Sequence, residues 1–519
     1  MRTSTYEIIL PLVGSDEKAI QGKKLLLNGL YGAMDVVDDE TAAAVEKDET
    51  DDLPAAVRER LASRGHITRR SVEGELKDVD LLGRIHARTE ARVSVGPVIL
   101  PTYDCNFRCP YCFERHRLSR GEEWLKAGMK PGMVDAVFSA LKKQREKERI
   151  IEDCSLYGGE PFLKENKETV RNICEHAKEM GLKLNAITNG YDLDHYIDLL
   201  KEYDFNTLQI TVDGVGSAND RRRLHRDGVP TYERIMANIA LALENGLSIS
   251  LRVNVNAGNI GGIMDLIEDI EKRGLNEYEK FSYYFKAVSE AADSPDRVTE
   301  KMIMDELLRT GMPVMEAFER QSMYSMHYSV IKKLVKKESL PGYSTAYCGS
   351  EKGMAVIAPD GKVYPCWDFV GRDEEAVGHT DIGTGTFVFY FNKAKWKLRT
   401  SDKMEPCRTC PYIFACRGGC ASEAKNEHGS CFREYCSESR EVFGSVASRV
   451  AGRKYEETGE KELSLSQFGP ISRLTEDERK RLMEEKDPNE IFKLAKEYDL
   501  LPAVSVTSAD PAETMHLPV

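Results

Sequence analysis

No run of eighteen apolar residues occurs in the 519-residue chain, so the hydrophobic length that a membrane-spanning helix needs is missing. The opening stretch MRTSTYEIILPLVGSDEK carries only a short apolar segment and lacks a signal-peptide cleavage region. A soluble, cytoplasmic protein with no membrane partner is therefore expected. Positive charge is also short: 73 Lys and Arg stand against 86 Asp and Glu, a formal net charge of -13. That balance argues against a nucleic-acid partner, because a phosphate backbone is repelled by it. No internal repeat or low-complexity tract stands out. The length exceeds one ordinary core and suggests about three to four domains.

Cysteine, by contrast, is present thirteen times. In a reducing compartment such a number points to metal sites or catalysis rather than to a disulfide framework. Three fall together as Cys105, Cys109 and Cys112, and eight lie between Cys348 and Cys436. Cys154 sits in a strand-like run, and Cys174 falls on the apolar face Val170, Ile173, Cys174, Ala177, so core packing accounts for both.

Residues 4–12 and 23–29 read as two strands, followed by a turn and a helix in LYGAMDVVDDETAAAV and by the acidic stretch EKDETDDLP. A second helix, PAAVRERLASRG, and a polar segment at 67–78 complete a small α+β module over 1–92. From residue 93 strands alternate with helices, with strands expected at 96–102, 151–157, 182–188, 206–212, 247–255 and 281–287. Helices at 231–245 and 259–273 end at Gly246 and Gly274. This rhythm predicts an α/β core over 93–298, a partial parallel (β/α)6 barrel with its active side at the strand C-terminal ends. A helical bridge is expected over 299–347, with helices at 299–320 and 325–338. A Cys-rich domain follows over 348–440, poor in long periodic segments and held by metal. The remainder, 441–519, reads as a helical extension with a loose polar end.

The trio follows the first barrel strand in the order C-x3-C-x2-C. A closed zinc site needs four ligands, and only His116 lies near enough in sequence to supply a fourth. Three thiolates on a cubane iron-sulfur cluster would instead leave one iron open to an exogenous molecule. Unligated thiols are a third reading.

The C-x3-C-x2-C motif, with Tyr111 before its last Cys and Phe113 after it, resembles that of the radical S-adenosylmethionine superfamily. Further motifs follow in the family's order: YGGEP at 157–161, ITNG at 187–190 and ITVDG at 210–214. SANDRRR then resembles the family's H-D-x-x-R stretch, with Asn219 where His is common. The resemblance implies that Cys105, Cys109 and Cys112 hold a 4Fe-4S cluster whose open iron binds S-adenosylmethionine. One electron then splits the sulfonium into methionine and a 5'-deoxyadenosyl radical, which takes hydrogen from a substrate. It further implies cofactor contacts from Tyr111, Phe113, Gly158, Gly159, Glu160, Pro161, Asn189 and Thr211. Glu160 would hold the methionine amino group and Arg223 its carboxylate, which a planar guanidinium suits. Arg252 is a further candidate contact, and Asn254 a polar residue inside the same strand. Arg221, Arg222 and Arg226 read mainly as a solvated basic turn.

The second group, Cys348-x12-Gly361-x4-Cys366 and CRTCPYIFACRGGC with Cys436 downstream, resembles the SPASM domain, which carries two auxiliary iron-sulfur clusters. By that resemblance Cys407, Cys410, Cys416 and Cys436 would hold one cluster fully. Cys348, Cys366 and Cys420 would hold the other, giving three 4Fe-4S clusters in all; Cys431 could complete that second cluster or replace Cys436, but the EYC context favours Cys436 and leaves Cys431 spare. An open auxiliary iron would suit a substrate thiolate. The expectation is a peptide maturase that joins a Cys sulfur to carbon in a ribosomally made precursor peptide. Its leader would add as a strand to the N-terminal module. A low-potential reductant such as flavodoxin or ferredoxin is implied as partner. Formylglycine formation on a sulfatase, carbon-carbon crosslinking, decarboxylation, epimerisation and a non-enzymatic electron carrier are the alternatives.

Overall fold

The computed structural model describes residues 1–90, 96–146, 151–290, 294–338 and 344–500. The expected loose end lies outside the described residues. Two compact units form: one from Met1–Ala91, Ser322–Cys348 and Arg399–Val519, the other from Arg92–Gln321 and Gly349–Leu398.

In the first unit, β1 (Arg2–Thr3) pairs with β5 (Ile67–Thr68), and β2 (Glu7–Val13), β3 (Ala19–Asn28) and β4 (Met34–Asp38) form an antiparallel sheet. The two expected strands are present. The stretch expected as a turn and a helix contains β4, followed by the helix Asp39–Glu46. The run MDVVD hides its strand character because all but its last residue are buried, which removes the alternation that marks a half-exposed strand. The segment at 67–78 likewise opens the nineteen-residue helix Val72–Glu90.

The C-terminal part of the chain completes this unit. Val36 N–H donates to Lys461 O at 2.8 Å, and Leu463 N–H donates to Met34 O at 2.8 Å, so residues 461–463 pair with the outer edge of β4. The helix Ser439–Thr458 lies against β2 so closely that a Cβ at Gly452 would fall 1.8 Å from the Val13 carbonyl oxygen. Under the sheet, His66 sits between Glu7 and Asp35, with Nδ1 2.9 Å from Glu7 Oε1 and Nε2 2.7 Å from Asp35 Oδ2. Arg64 also pairs with Asp35. All four groups are buried or nearly so, and charges taken out of water in this way are tolerated because they are paired.

The second unit is built on a ten-stranded sheet. Its strands are β6 (Val98–Ile99), β7 (Asp153–Leu156), β8 (Lys183–Thr188), β9 (Phe205–Thr211), β10 (Ile249–Val255) and β11 (Phe281–Ala287), then β12 (Val356–Ile357), β13 (Lys362–Tyr364), β14 (Gly378–Asp381) and β15 (Thr386–Phe389). β6 to β11 run parallel in chain order, the expected partial (β/α)6 array. The intervening helices bury one face each. In Tyr232–Glu244 it is Ile235, Met236, Ile239, Ala242 and Leu243, the spacing of one helical stripe.

Three sequence expectations differ here. The first strand is only Val98–Ile99. The helix expected at 299–320 is two, Glu300–Arg309 and Val314–Arg320, parted at Gly311 with φ +85° and by Pro313. In the Cys-rich region, β12 pairs parallel with β6, and β13 to β15 continue the sheet antiparallel. These strands are two to four residues long, too short for periodicity to mark them. Among the described residues no helix is long and apolar enough to cross a membrane.

Candidate functional site

The loop after β6 carries Cys105, Cys109 and Cys112 at the C-terminal end of the parallel strands, where successive loops also deliver Glu160, Asn189, Thr211 and Arg223. Its path is set by its neighbours. Arg108 N–H donates to Leu224 O at 2.7 Å and Arg226 N–H to Asn106 O at 2.7 Å, which fixes residues 106–108 against 224–226. Asp104 Oδ1 accepts from Cys105 N–H at 2.9 Å, and Asp104 Oδ2 from Arg226 Nη1 at 3.0 Å.

The YGGEP loop lies on this segment. A Cβ on Gly159 would fall 2.1 Å from Asp104 O, and one on Gly158 2.1 Å from Leu100 Cγ, while both glycines have positive φ. Only glycine meets both demands. Glu160 is buried and holds three donors: Thr188 Oγ1 at 2.6 Å, Asn189 N–H at 2.6 Å and Phe162 N–H at 2.9 Å. Burial raises its carboxyl pKa to about 7, against the pull of those hydrogen bonds. Asn189 Nδ2 donates to Asn106 Oδ1 at 2.6 Å and lies 3.9 Å from Cys105 Sγ. Pro161 carries the turn onward, its carbonyl 3.4 Å from Asn166 Nδ2.

On the other flank, Tyr111 donates its hydroxyl to Asp213 and accepts from Arg223 Nη1 at 2.9 Å. Thr211 closes β9, buried and paired with Arg252 of β10, whose Nε donates to Asn254 Oδ1 at 2.9 Å. Phe113 stacks near-parallel on Tyr157 at 6.3 Å between ring centroids, and Tyr157 meets Trp367, the neighbour of Cys366, edge-on at 5.8 Å. Asn219, at the position where His is common in the family, is fully buried and accepts from Asp213 N–H at 3.0 Å. Its amide Nδ2 donates to Thr231 Oγ1 at 3.0 Å.

The basic turn is not simply solvated. Arg221 is exposed, but Arg222 donates to Asn256 Oδ1 at 2.6 Å and covers the Tyr111 ring at 5.1 Å, and Arg226 pairs with Asp104. The sequence reading assigned no role to Asp213 or Asn106 and took Arg222 for a solvated residue. Asp213 stood inside the quoted ITVDG, and its burial was the signal that spacing could not carry.

Cys105, Cys109 and Cys112 are half-buried, and the loss of water around each thiol raises its pKa, that of Cys112 to about 12. Like-charge repulsion from Cys109 and Cys112 adds to the rise at Cys105, and repulsion from Cys109 to that at Cys112. A bound metal centre would reverse this, since a coordinating thiol is deprotonated. His116 is turned elsewhere, with Nδ1 3.0 Å from Phe113 O and Nε2 3.1 Å from Val370 O. Arg223, beside Cys109, has a buried Nε without a hydrogen-bond partner among the described residues. Three neighbouring thiols and an arginine with a spare donor fit a cluster held by three sulfurs and an anionic ligand next to it.

In the first unit, Cys407, Cys410, Cys416 and Cys436 come together: repulsion from the other three raises Cys407, after burial, to about 12. Gly419, with φ +73°, lets the turn after Cys416 press on Tyr435, whose N–H donates to Gly418 O at 2.9 Å. Arg440 Nη2 lies 3.6 Å from Cys410 Sγ. Cys420 and Cys348 belong to this unit and Cys366 to the other. Cys431 is buried, with its carbonyl accepting from Arg399. Cys154 and Cys174 are fully buried in the second unit's core, as expected.

Residues 99–271 match the model of the radical SAM superfamily. The chain carries a radical SAM domain. Members of that superfamily work with a 4Fe-4S cluster and S-adenosylmethionine. It is 27% identical over 186 residues to an S-adenosylmethionine-dependent nucleotide dehydratase of Psychrobacter lutiphocae, covering 35% of this chain and 61%, under two thirds, of that relative. A cysteine-type anaerobic sulfatase-maturating enzyme of Clostridium novyi is 22% identical over 371 residues, 69% of this chain and 96% of its own length. The PqqA peptide cyclase of Methylorubrum extorquens is 25% identical over 350 residues, 64% of this chain and 81% of its own. The radical SAM domain thus occupies the second unit, and the two longer matches extend beyond it.

Proposed function

We propose that this chain is a radical SAM enzyme that modifies a ribosomally made peptide, joining a Cys sulfur to a carbon of the same chain. The observation that carries the radical chemistry is the half-buried trio Cys105, Cys109 and Cys112 on the loop after β6, with Asn189 Nδ2 3.9 Å from Cys105 Sγ and Arg223 Nη1 2.9 Å from the hydroxyl of Tyr111 within the same loop. When bound, a 4Fe-4S cluster with S-adenosylmethionine supplies a 5'-deoxyadenosyl radical that removes hydrogen from the substrate. Cys105, Cys109 and Cys112 are the proposed ligands. Glu160 ties the loops after β7 and β8 into one wall, and Arg223 presents a cation for the cofactor's carboxylate. Phe113, Tyr157 and Trp367 form a run of contacting aromatic rings beside Cys112.

The peptide substrate is supported by the long matches to a peptide cyclase and to a sulfatase-maturating enzyme. The grouping of Cys407, Cys410, Cys416 and Cys436 supports an auxiliary cluster. We assign Cys348, Cys366 and Cys420 to a second one, whose open iron would take the substrate thiolate. A flavodoxin or ferredoxin is the proposed reductant. The 371-residue match to the Clostridium novyi protein favours formylglycine formation as the second reading.

The reduced, cluster-loaded protein should convert S-adenosylmethionine to 5'-deoxyadenosine. Co-expression with a small Cys-containing reading frame beside the gene should give a peptide lighter by two hydrogens per link, its cysteine protected from alkylation. A peptide with unmodified cysteine rejects thioether formation. Conversion of a sulfatase Cys to an aldehyde selects the second reading.

A further inference from the structure

Asp213, just beyond β9, is 1% exposed and joins four pieces of chain. Its Oδ1 accepts from Asn254 N–H at 2.9 Å, and its Oδ2 accepts from the Tyr111 hydroxyl. Its own N–H donates to Asn219, and its carbonyl oxygen accepts from Asn259 Nδ2 at 2.8 Å. Arg222 Nε lies 3.8 Å from Oδ2.

The direction of the Tyr111 hydrogen bond matters. With its proton committed to Asp213, the hydroxyl offers only lone pairs to its other neighbours, and Arg223 Nη1 takes one at 2.9 Å. Asn254 Nδ2 lies at 3.5 Å. A guanidinium has no acceptor, so the pairing holds only while the proton points away from it. An amide in place of the carboxylate could donate to the hydroxyl and turn that proton toward Arg223. The same change removes the negative charge facing Arg222 and Arg223.

We propose that Asp213 is a positioning residue for S-adenosylmethionine: through the Tyr111 hydroxyl it aims the Arg223 guanidinium at the cofactor's carboxylate. The inference rests on the reading of Arg223 as the carboxylate's partner. It assigns a role to a residue that touches neither thiol nor cofactor, and it makes Tyr111, Arg223 and Asp213 one unit.

The test uses the full chain with its cluster content measured for every variant. Binding of S-adenosylmethionine is followed by equilibrium dialysis and by the change it causes in the electron paramagnetic resonance signal of the reduced cluster. Asp213→Asn and Tyr111→Phe should each weaken binding about tenfold or more, the scale of a hydrogen bond to a charged group. The double variant should be no weaker than the weaker single, because both break one relay. A merely structural Asp213 would give losses that multiply, and that result, or wild-type affinity in Asp213→Asn, overturns the proposal. If Asp213→Asn does not fold, Tyr111→Phe and Arg223→Lys form the cycle, and multiplied losses there overturn it equally. Unchanged affinity in Arg223→Lys defeats the reading of Arg223 itself, and wild-type protein that binds no S-adenosylmethionine defeats the cofactor assignment; either also overturns the proposal, each by a different signature.

Discussion

The backbone N–H of Glu160 donates to the carbonyl oxygen of Asp104 at 2.8 Å, which lays the loop after β7 directly on the loop that presents Cys105. The two motifs that are fifty residues apart in sequence are thereby one rigid surface.

Gly159→Ala should disrupt that surface. Its backbone is left-handed at φ +54°, which costs a side chain about 1–2 kcal/mol by itself. The added Cβ would also meet Asp104 O at 2.1 Å. The expected outcome is protein that folds but incorporates less iron at the trio, measured as iron and sulfide per chain. Gly181→Ala, at φ +65° and with no neighbour within 4 Å, serves as the control for strain alone.

Replacement of Cys105, Cys109 or Cys112 by Ala should abolish formation of 5'-deoxyadenosine. Any single variant that retained it would defeat the ligand assignment. Cys410→Ala should lower the iron content by one cluster, whereas Cys431→Ser should keep it, since Cys431 lies outside the group of four.

The buried His66 makes stability depend on pH. Burial disfavours its charged ring, but Glu7 and Asp35 more than offset this and raise its pKa to about 9 from 6.5. A base with a raised folded-state pKa stabilises fully below pH 6.5, and that contribution is lost as pH rises through about 9. Its size is on the order of 3 kcal/mol for a shift of this extent. Denaturant unfolding of the wild type should weaken between those values, and His66→Gln should lack that slope.

Leu463→Ala should open the edge of β4. The side chain is fully buried, and such truncations cost about 2–5 kcal/mol. Hydrogen exchange at the Val36 amide, which donates to Lys461 O, should accelerate. A leader peptide that adds as a strand to β4 must displace residues 461–463, so its binding should deprotect the amide of Leu463. A leader that binds without this change uses another surface.

How far the sequence carried the reading depends on the kind of signal. Alternation of strand and helix, the apolar stripe of Tyr232–Glu244, and the spacing of the trio are local or periodic, and the parallel core with its thiol loop followed from them. β4 escaped because burial on both faces erased its alternation, and Val72–Glu90 because a polar start concealed a helix. The strands β12 to β15 were too short to carry a period, so their attachment to β6 had no local trace.

By itself the sequence determined which chemistry this protein can host, since thiol type, number and spacing are properties of the chain. Only the tertiary structure decided which groups hold one another in place: Asp213 with Tyr111, Glu160 with Thr188 and Asn189, and residues 461–463 with β4. The physical reason is that hydrogen-bond direction and burial depend on what folds against a residue from far along the chain. No pattern of neighbours in sequence records that.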